Sequence, residues 1–586
     1  MRHFSGKKLA GFFNLSETNI LIILSLVVGA GTGFGAILFI FLIESARDLF
    51  FGHSAEVLSG LLGTGHDAFR WWIAIIPAAG GLVAGPLIFY FAREAKGHGV
   101  PEVMDAVARK GGLIRPRVAA VKALASAFCI GSGGSAGREG PIIQIGSAIG
   151  STIGQIFKMS GNRVKILVGC GAAAGISAVF NAPIAGIIFS LEIILGDFAV
   201  RTFAPVLLSS VIASVISRTF LGNHPAFEVP PYELISAWEI PLYAALGVVC
   251  GGISVMFTRA LAWSESFFDN LKLPELVKPA IGGLFLGIIG VFFPQVFADG
   301  YSTIHLALYG KMAFWLMFIL VLLKICATSL TLGSGNSGGI FAPSLFMGAM
   351  IGGAFGALAH TYFPTFTGHT GAYALVGMAA LVGGTTHAPI TAILIIFEMT
   401  SDYRIILPLM VAVAFSTLVA RHLFDYSIYT VKLAARGIFL RGGKDLAILR
   451  SLRAYEVMDR RFETISPSTP LRDIIRKIES TRETYYMVVD ADHNLHGVIS
   501  LQDIRGVLTS SALQDLVIAE DIAHTEVITV TPEDDLEAVR NKFALQDMQL
   551  LPVIDPRHAN RLVAVLRYSD MMTVYNKRLI ETISDN

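Results

Sequence analysis

Two stretches of this 586-residue chain have the residue types to bind an anion. Gly131-Ser-Gly-Gly-Ser-Ala-Gly-Arg-Glu-Gly-Pro141 and Gly333-Ser-Gly-Asn-Ser-Gly-Gly-Ile-Phe-Ala-Pro343 each run from a glycine- and serine-rich loop into an apolar helical pattern. The first is unsuited to helix up to about Gly137, and each carries a proline where a first helical turn tolerates one. A helix that starts inside a membrane presents unpaired backbone N–H groups and the positive end of its dipole, which favours an anion. A cation pathway would instead show clustered carboxylates or helix C-termini. Glycines that serve only close helix packing are the plainer alternative, but Gly-Ser-Gly with a following Pro, twice, exceeds what packing asks for. Gly97-His98-Gly99-Val100-Pro101 has the same form, without a visible repeat.

Glu139 carries one of few charges at membrane depth, and such a carboxylate is costly enough to mark a functional site. Ionised, it could take the anion's place; protonated, it could vacate it. The plainer alternative is a fixed dipole cap. Glu192 and Glu398 are a matched pair at the ends of two helices and read as structural. Lys122 and Lys324 are a second matched pair, which either snorkel to water or add positive potential to a vestibule. No nucleophile–base or metal-ligand spacing occurs, so no enzyme is expected, and no metal.

These residues are positioned by an internal repeat. Lys122–Pro141 aligns without a gap to Lys324–Pro343 at an offset of 202, which still holds at Gly146/Gly348, Ile149/Ile351 and Gly150/Gly352. Asn181–Glu192 matches His387–Glu398 at an offset of 206. The halves span about residues 17–220 and 235–440. Gly/Pro-broken segments at matching positions of two halves point to a transport site near the membrane midplane. An inverted arrangement is the expectation, and it requires an odd number of crossings per half.

The chain is 53% hydrophobic and 15% charged, against about 25% charged in soluble proteins, with a mean hydropathy of +0.63. Apolar runs include Ile20–Leu42, Trp71–Phe91, Ile240–Phe257, Pro279–Phe293, Phe314–Leu332 and Ile405–Val419, several near the roughly 20 residues needed to cross a bilayer. The first run is long, lacks a small-residue cleavage site and leads into another span, so it reads as a membrane helix rather than a cleaved signal. Arg2, His3, Lys7 and Lys8 ahead of it favour a cytoplasmic N-terminus, residues 1–16. Cys129, Cys170, Cys250 and Cys326 fall in apolar stretches and read as small buried hydrophobes. The net charge of +1 and the absence of a basic tract argue against nucleic acid as a partner.

The composition changes near Arg441. After a linker at 441–453 comes a soluble, α/β-patterned tail of about 140 residues, an ordinary domain size. Thr464–Leu471, Tyr486–Asp490 and Gly497–Asp503 read as strand, helix, strand, turn, strand and helix start. The order recurs in Val527–Leu536, Leu550–Asp555 and Leu562–Asp570, giving two β-α-β-β-α units at about 454–511 and 516–580.

Gly97–Pro101, Gly137–Pro141 and Gly339–Pro343 resemble, in order, the three selectivity-region motifs of the CLC chloride channel and transporter family, and the tail resembles a pair of CBS domains. The resemblance implies an all-α polytopic membrane domain with an inverted repeat of broken helices and an α/β tandem CBS domain on the cytoplasmic side. It also implies a homodimer in the cell (inner) membrane, with one chloride pathway per subunit, no required cofactor, and chloride held near the midplane by backbone N–H groups. By this resemblance Glu139 is the gating glutamate that competes with chloride and accepts a proton, and Ile340 and Phe341 offer central amides. Gly99, Arg138 and Gly140 lie in the surrounding motifs. His98 stands where most members have a serine, a departure that touches anion selectivity. The anion-coordinating tyrosine falls at Tyr429 or Tyr426, with Tyr429 favoured. Ile193 stands where many exchangers carry an internal acid; passive channels also have an apolar residue there, although some bacterial exchangers work without the acid. The tail's likeness implies an adenine-nucleotide (ATP) site at Thr464, Ser500, Asp503, Val553, Arg567 and Asp570, against a tail that only braces the dimer. The expected function is Cl−/H+ exchange, with a passive chloride channel as the alternative. A fluoride exchanger fits less well because Gly137–Pro141 is intact, and a divalent-cation transporter would need more pore carboxylates.

Overall fold

The computed structural model describes residues 17–53, 71–222, 227, 229, 232, 235–400, 402–436, 438, 449–481, 484–505, 516–545, 549–555, 557–558 and 561–584. The basic N-terminal segment 1–16, linker residues 441–448 and the end of the first tail repeat, 506–511, lie outside them. Two compact units result, Met1–Ile438 and Phe439–Asn586.

The first unit is helical. Its first half holds α1 (Glu17–Arg47), α2 (Ile76–Phe91), α3 (Val100–Arg109), α4 (Arg117–Gly131), α5 (Glu139–Ile156), α6 (Gly161–Phe180), α7 (Pro183–Phe189) and α8 (Val200–Leu221). The second half holds α9 (Glu239–Asn270), α10 (Lys278–Phe292), α11 (Tyr301–Leu308), α12 (Phe314–Gly333), α13 (Phe341–Tyr362), α14 (Thr370–Thr386), α15 (Pro389–Thr400) and α16 (Ile406–Leu423), and α17 (Thr430–Ala435) follows. Each element of one half has its counterpart eight places on. Pro77 and Pro279 open α2 and α10, and Asn181 and His387 end α6 and α14 in the left-handed conformation (φ 56° and 58°). Among the described residues, eight helices are long and apolar enough to span a membrane, including α6, α8 and α13, which the longest apolar runs do not reveal.

The inversion is visible in one contact. Gly137 and Gly339, equivalent residues, form an antiparallel bridge in which each N–H donates to the other's carbonyl, at 2.8 and 2.7 Å. Equivalent residues that exchange both bonds lie astride a two-fold axis, so α5 and α13, which leave this point, run in opposite directions. The same symmetry recurs where Glu192 accepts from the Thr391 N–H (2.8 Å) at the start of α15, while Glu398 accepts from the Ala185 N–H (2.6 Å) at the start of α7. Both carboxylates therefore cap the opposite half's helix.

Packing glycines are distinct from loop glycines. A Cβ on Gly146 would lie 2.2 Å from the Gly171 carbonyl, and one on Gly348 would lie 2.4 Å from that of Gly377, so α5–α6 and α13–α14 pack backbone to backbone. Cys129, Cys170 and Cys250 are buried, but Cys326 is exposed on α12; in an apolar span the outward face meets lipid, so apolar character did not imply burial in protein.

In the tail, β1 (Thr464–Ile465) pairs in parallel with β2 (Tyr485–Val489), which pairs antiparallel with β3 (Leu495–Ser500). In the second copy β4 (Leu550–Ile554) pairs antiparallel with β5 (Leu562–Arg567), and a single parallel bridge from Val530 to Val553 stands for the first strand. Helices α18 (Leu471–Ser480), α19 (Leu501–Arg505), α20 (Ala519–Ile522), α21 (Leu536–Leu545) and α22 (Tyr568–Ser584) complete the two copies. Met487, Val489, Val498, Leu550, Leu562 and Val565 form one buried cluster drawn from both copies, which makes the pair one folded unit.

Candidate anion pathway between the two repeat halves

All three glycine motifs meet. The Gly97 N–H donates to the Asn336 carbonyl (3.0 Å), the Gly338 N–H donates to the Gly97 carbonyl (3.3 Å), and Gly137 pairs with Gly339. Polar backbone in a membrane domain must be satisfied internally, and these loops satisfy one another. The two matched lysines reinforce them. Lys122 donates to the carbonyls of Ala95 (3.0 Å) and Gly97 (2.7 Å), and Lys324 to those of Val296 and Ala298 (2.9 Å each). Both side chains are fully buried, so neither snorkels; each ammonium is the clasp of a loop.

The clasps reveal a repeat that alignment of the two halves does not find. Ala298-Asp299-Gly300-Tyr301 is the second-half counterpart of Gly97-His98-Gly99-Val100, with left-handed backbone at matching positions: φ 77° and 82° at Gly97 and Gly99, 50° and 75° at Ala298 and Gly300. Only one glycine is shared, too little for residue types to betray the match.

Helix α5 begins at Glu139, with Arg138 as its N-cap, and α13 begins at Phe341, with Ile340 before it. Glu139 is fully buried. Its Oε1 accepts from the Tyr301 hydroxyl at 2.8 Å, and its Oε2 accepts from the Ala342 N–H at 3.4 Å. The carboxylate thus reaches across the two-fold to the N-terminus of the opposite helix, the place where backbone N–H groups and the dipole favour an anion. The Arg138 guanidinium lies over the Tyr301 ring, 5.5 Å from its centre, and Phe227 meets that ring edge-on at 5.2 Å. Tyr301 was not singled out by sequence; the one available signal was its place one residue past Gly300, at the head of a short helix.

His98 is buried, its Nδ1 has no hydrogen-bond partner among the described residues, and its ring lies 5.8 Å from that of Tyr429. Tyr429, the buried N-cap of α17, is therefore the tyrosine at this loop, while Tyr426 is half-buried against Phe424. Gly99 is the N-cap of α3. Gly140 has no room for a side chain: a Cβ there would lie 2.4 Å from the His98 carbonyl. Ile193 is buried in the π-helical turn Ser190–Leu195 that continues α7.

In the tail, Asp503 accepts from the Ser500 N–H (2.8 Å), the Ser500 hydroxyl (2.6 Å) and the His524 ring (2.9 Å). Burial raises its carboxyl, and these bonds outweigh burial and hold it below the usual carboxylate range. Arg567 donates to Asp459 at 3.0 Å and stands 3.8 Å from Asp570. Thr464 lies on β1, where its carbonyl accepts from Lys477, and the Val553 side chain is in the core. The structure thus joins Ser500 to Asp503 and Arg567 to Asp570.

Residues 80–421 match the family described as voltage gated chloride channel, and residues 454–510 and 519–577 each match the CBS domain. The chain belongs to the CLC family. This CLC chain is 32% identical over 427 residues to the H(+)/Cl(-) exchange transporter ClcA of Salmonella arizonae, covering 71% of this chain and 88% of that one. Among solved structures it resembles a slow cyanobacterial Cl−/H+ antiporter, with a TM-score of 0.66 and 28% identity over 72% of this chain and 98% of that one. A eukaryotic CLC transporter matches at a TM-score of 0.63 and 21% identity over 95% of this chain and 99% of that one, a likeness of fold that extends through the tail. With its long apolar helices, the CLC chain is a multi-pass membrane protein.

Proposed function

We propose that this protein transports chloride across the membrane as a Cl−/H+ exchanger, with Glu139 as the protonatable gate. The observation that carries the reading is the seat of the Glu139 carboxylate, buried against the Ala342 N–H at the start of α13. Ionised, it fills the place an anion would take; protonated, it loses the charge that holds it there, and the place opens to chloride. His98, Tyr429 and the backbone of Ile340 and Phe341 line the route beside it, and Gly99, Arg138 and Gly140 shape it. The names of the similar proteins, a H(+)/Cl(-) exchange transporter and a Cl−/H+ antiporter, support coupling to protons. The second reading, a passive chloride channel, is favoured by one residue, the apolar Ile193 where an internal acid would serve exchange.

The protein acts as a homodimer in the inner membrane with the tail on the cytoplasmic side, as family membership suggests. The tail binds an adenine nucleotide between the Ser500–Asp503 and Arg567–Asp570 pairs, where Arg567 suits a phosphate and the aspartates suit ribose hydroxyls. The deciding experiment is chloride flux from reconstituted vesicles with simultaneous pH recording. A chloride gradient should drive protons uphill; chloride flux without proton movement would establish the channel instead.

A further inference from the structure

Tyr301 is a departure from the repeat. At the matching position the first half carries Val100, which offers no hydroxyl and so no counterpart of the Tyr301–Glu139 bond. The hydroxyl donates to Glu139 Oε1 at 2.8 Å while the opposite helix's Ala342 N–H takes Oε2. The ring is held between the Arg138 guanidinium and Phe227. Its backbone is held as well, since the Tyr301 N–H donates to Asp299 at 3.3 Å and the Lys324 ammonium clasps the preceding loop.

We infer that Tyr301 is a positioning residue of the gate: its hydroxyl holds the ionised Glu139 side chain in the blocking position and thereby sets the pH at which the gate opens. This rests on the reading of Glu139 as the gate. A donor to a carboxylate favours the ionised form, so the bond stabilises the closed state and resists proton-driven opening. The other charged or titratable groups facing Glu139 are Arg138 on its own helix start, Asp299 on the loop before α11, and Tyr429 on α17; α13 contributes only backbone. All of these remain in Tyr301→Phe, which keeps the ring and loses only the hydroxyl.

The test is chloride efflux from proteoliposomes at a series of symmetric pH values, for wild type, Tyr301→Phe, Glu139→Gln and the double variant. Tyr301→Phe should open at higher pH, moving the flux–pH curve up by about one unit. Site-specific 3-fluorotyrosine at 301, a stronger donor of the same shape, should move it down, and this substitution also serves if the Phe variant does not fold. In Glu139→Gln the curve should be flat, and adding Tyr301→Phe should leave it flat. An unshifted curve in Tyr301→Phe over a flat Glu139→Gln overturns the role of Tyr301 alone. A pH-dependent, proton-coupled Glu139→Gln overturns the gate reading itself.

Discussion

Replacing Gly140 by alanine tests whether the three loops form the pathway by direct contact. A Cβ there would lie 2.4 Å from the His98 carbonyl oxygen and 2.9 Å from Gly339 Cα. A carbon–oxygen contact relaxes at about 3.3 Å, so the loops would have to part by roughly 0.9 Å. Neither can yield freely, because Gly97 is clasped by Lys122 and Gly339 is paired with Gly137. Overpacking of this kind costs about 1–3 kcal/mol, and a displacement near 1 Å at a reacting site costs on the order of 100-fold in rate. Chloride flux in vesicles should therefore fall between about 10- and 100-fold, with a lower melting temperature in detergent. The matched control is Gly252→Ala on α9, where a Cβ meets nothing within 4 Å; flux should be unchanged and stability equal or higher, by up to about 1 kcal/mol. The equivalent of Gly140 in the second half is Ala342, which carries the Cβ that Gly140 lacks. If Gly140→Ala transports and melts like wild type, the close approach of the His98 loop to α5 is not what forms the site.

Other expectations concern the gate, selectivity and the tail. Glu139→Gln should mimic the protonated gate, leaving chloride flux but abolishing proton coupling; coupled proton uptake that persists in this variant, followed with a pH electrode, would refute the assignment. His98→Ser exchanges a large imidazole for a small hydroxyl, so the chloride/nitrate preference measured by competition flux should change, and an unchanged ratio would place His98 outside the pathway. Asp503→Asn and Arg567→Ala should each weaken ATP binding to the purified full-length protein by about 10-fold, the loss of one charged hydrogen bond; calorimetry showing no heat of binding in wild type would remove the nucleotide site.

Some of this was legible in the sequence for definite reasons. Gly131–Pro141 and Gly333–Pro343 could be aligned because backbone geometry fixes their residue types: each copy needs glycine in the loop and proline in the first turn. Glu192 and Glu398 could be read as structural because the repeat paired them, although only the fold shows that each caps the opposite half. The lysines could be paired but not placed, because burial in a loop cannot be told from snorkelling without knowing which carbonyls lie within reach. Tyr301 stayed hidden because its loop is constrained by dihedral angles rather than side chains: Ala298 and Gly97 share a left-handed backbone but no side-chain chemistry. Between the two tyrosines the sequence favoured Tyr429 only slightly, because which ring lies beside His98 depends on the fold; that ring is Tyr429's.

The symmetry and its violations together bear on how the proposed gate would work. The backbone scaffold is two-fold: paired loops, paired lysine clasps and reciprocal carboxylate caps hold the halves in one register. The side chains at the axis are not. The first half supplies Arg138 and Glu139 where the second has Ile340 and Phe341, and the second supplies Asp299 and Tyr301 where the first has His98 and Val100. Tyr301 and Ala342, which both donate to the Glu139 carboxylate, belong to the opposite half. Its seat is therefore defined by how the halves meet as well as by its own helix. In the proposed mechanism the symmetrical frame keeps that meeting constant, so that protonation of Glu139 opens the route without rearranging the helices. Two halves free to slide would instead make the carboxylate's seat, and with it the pH at which the proposed gate opens, drift with every motion of the membrane domain. The reciprocal caps at Glu192 and Glu398 oppose such sliding, each charge at a helix N-terminus contributing about 0.3–2 kcal/mol to the register.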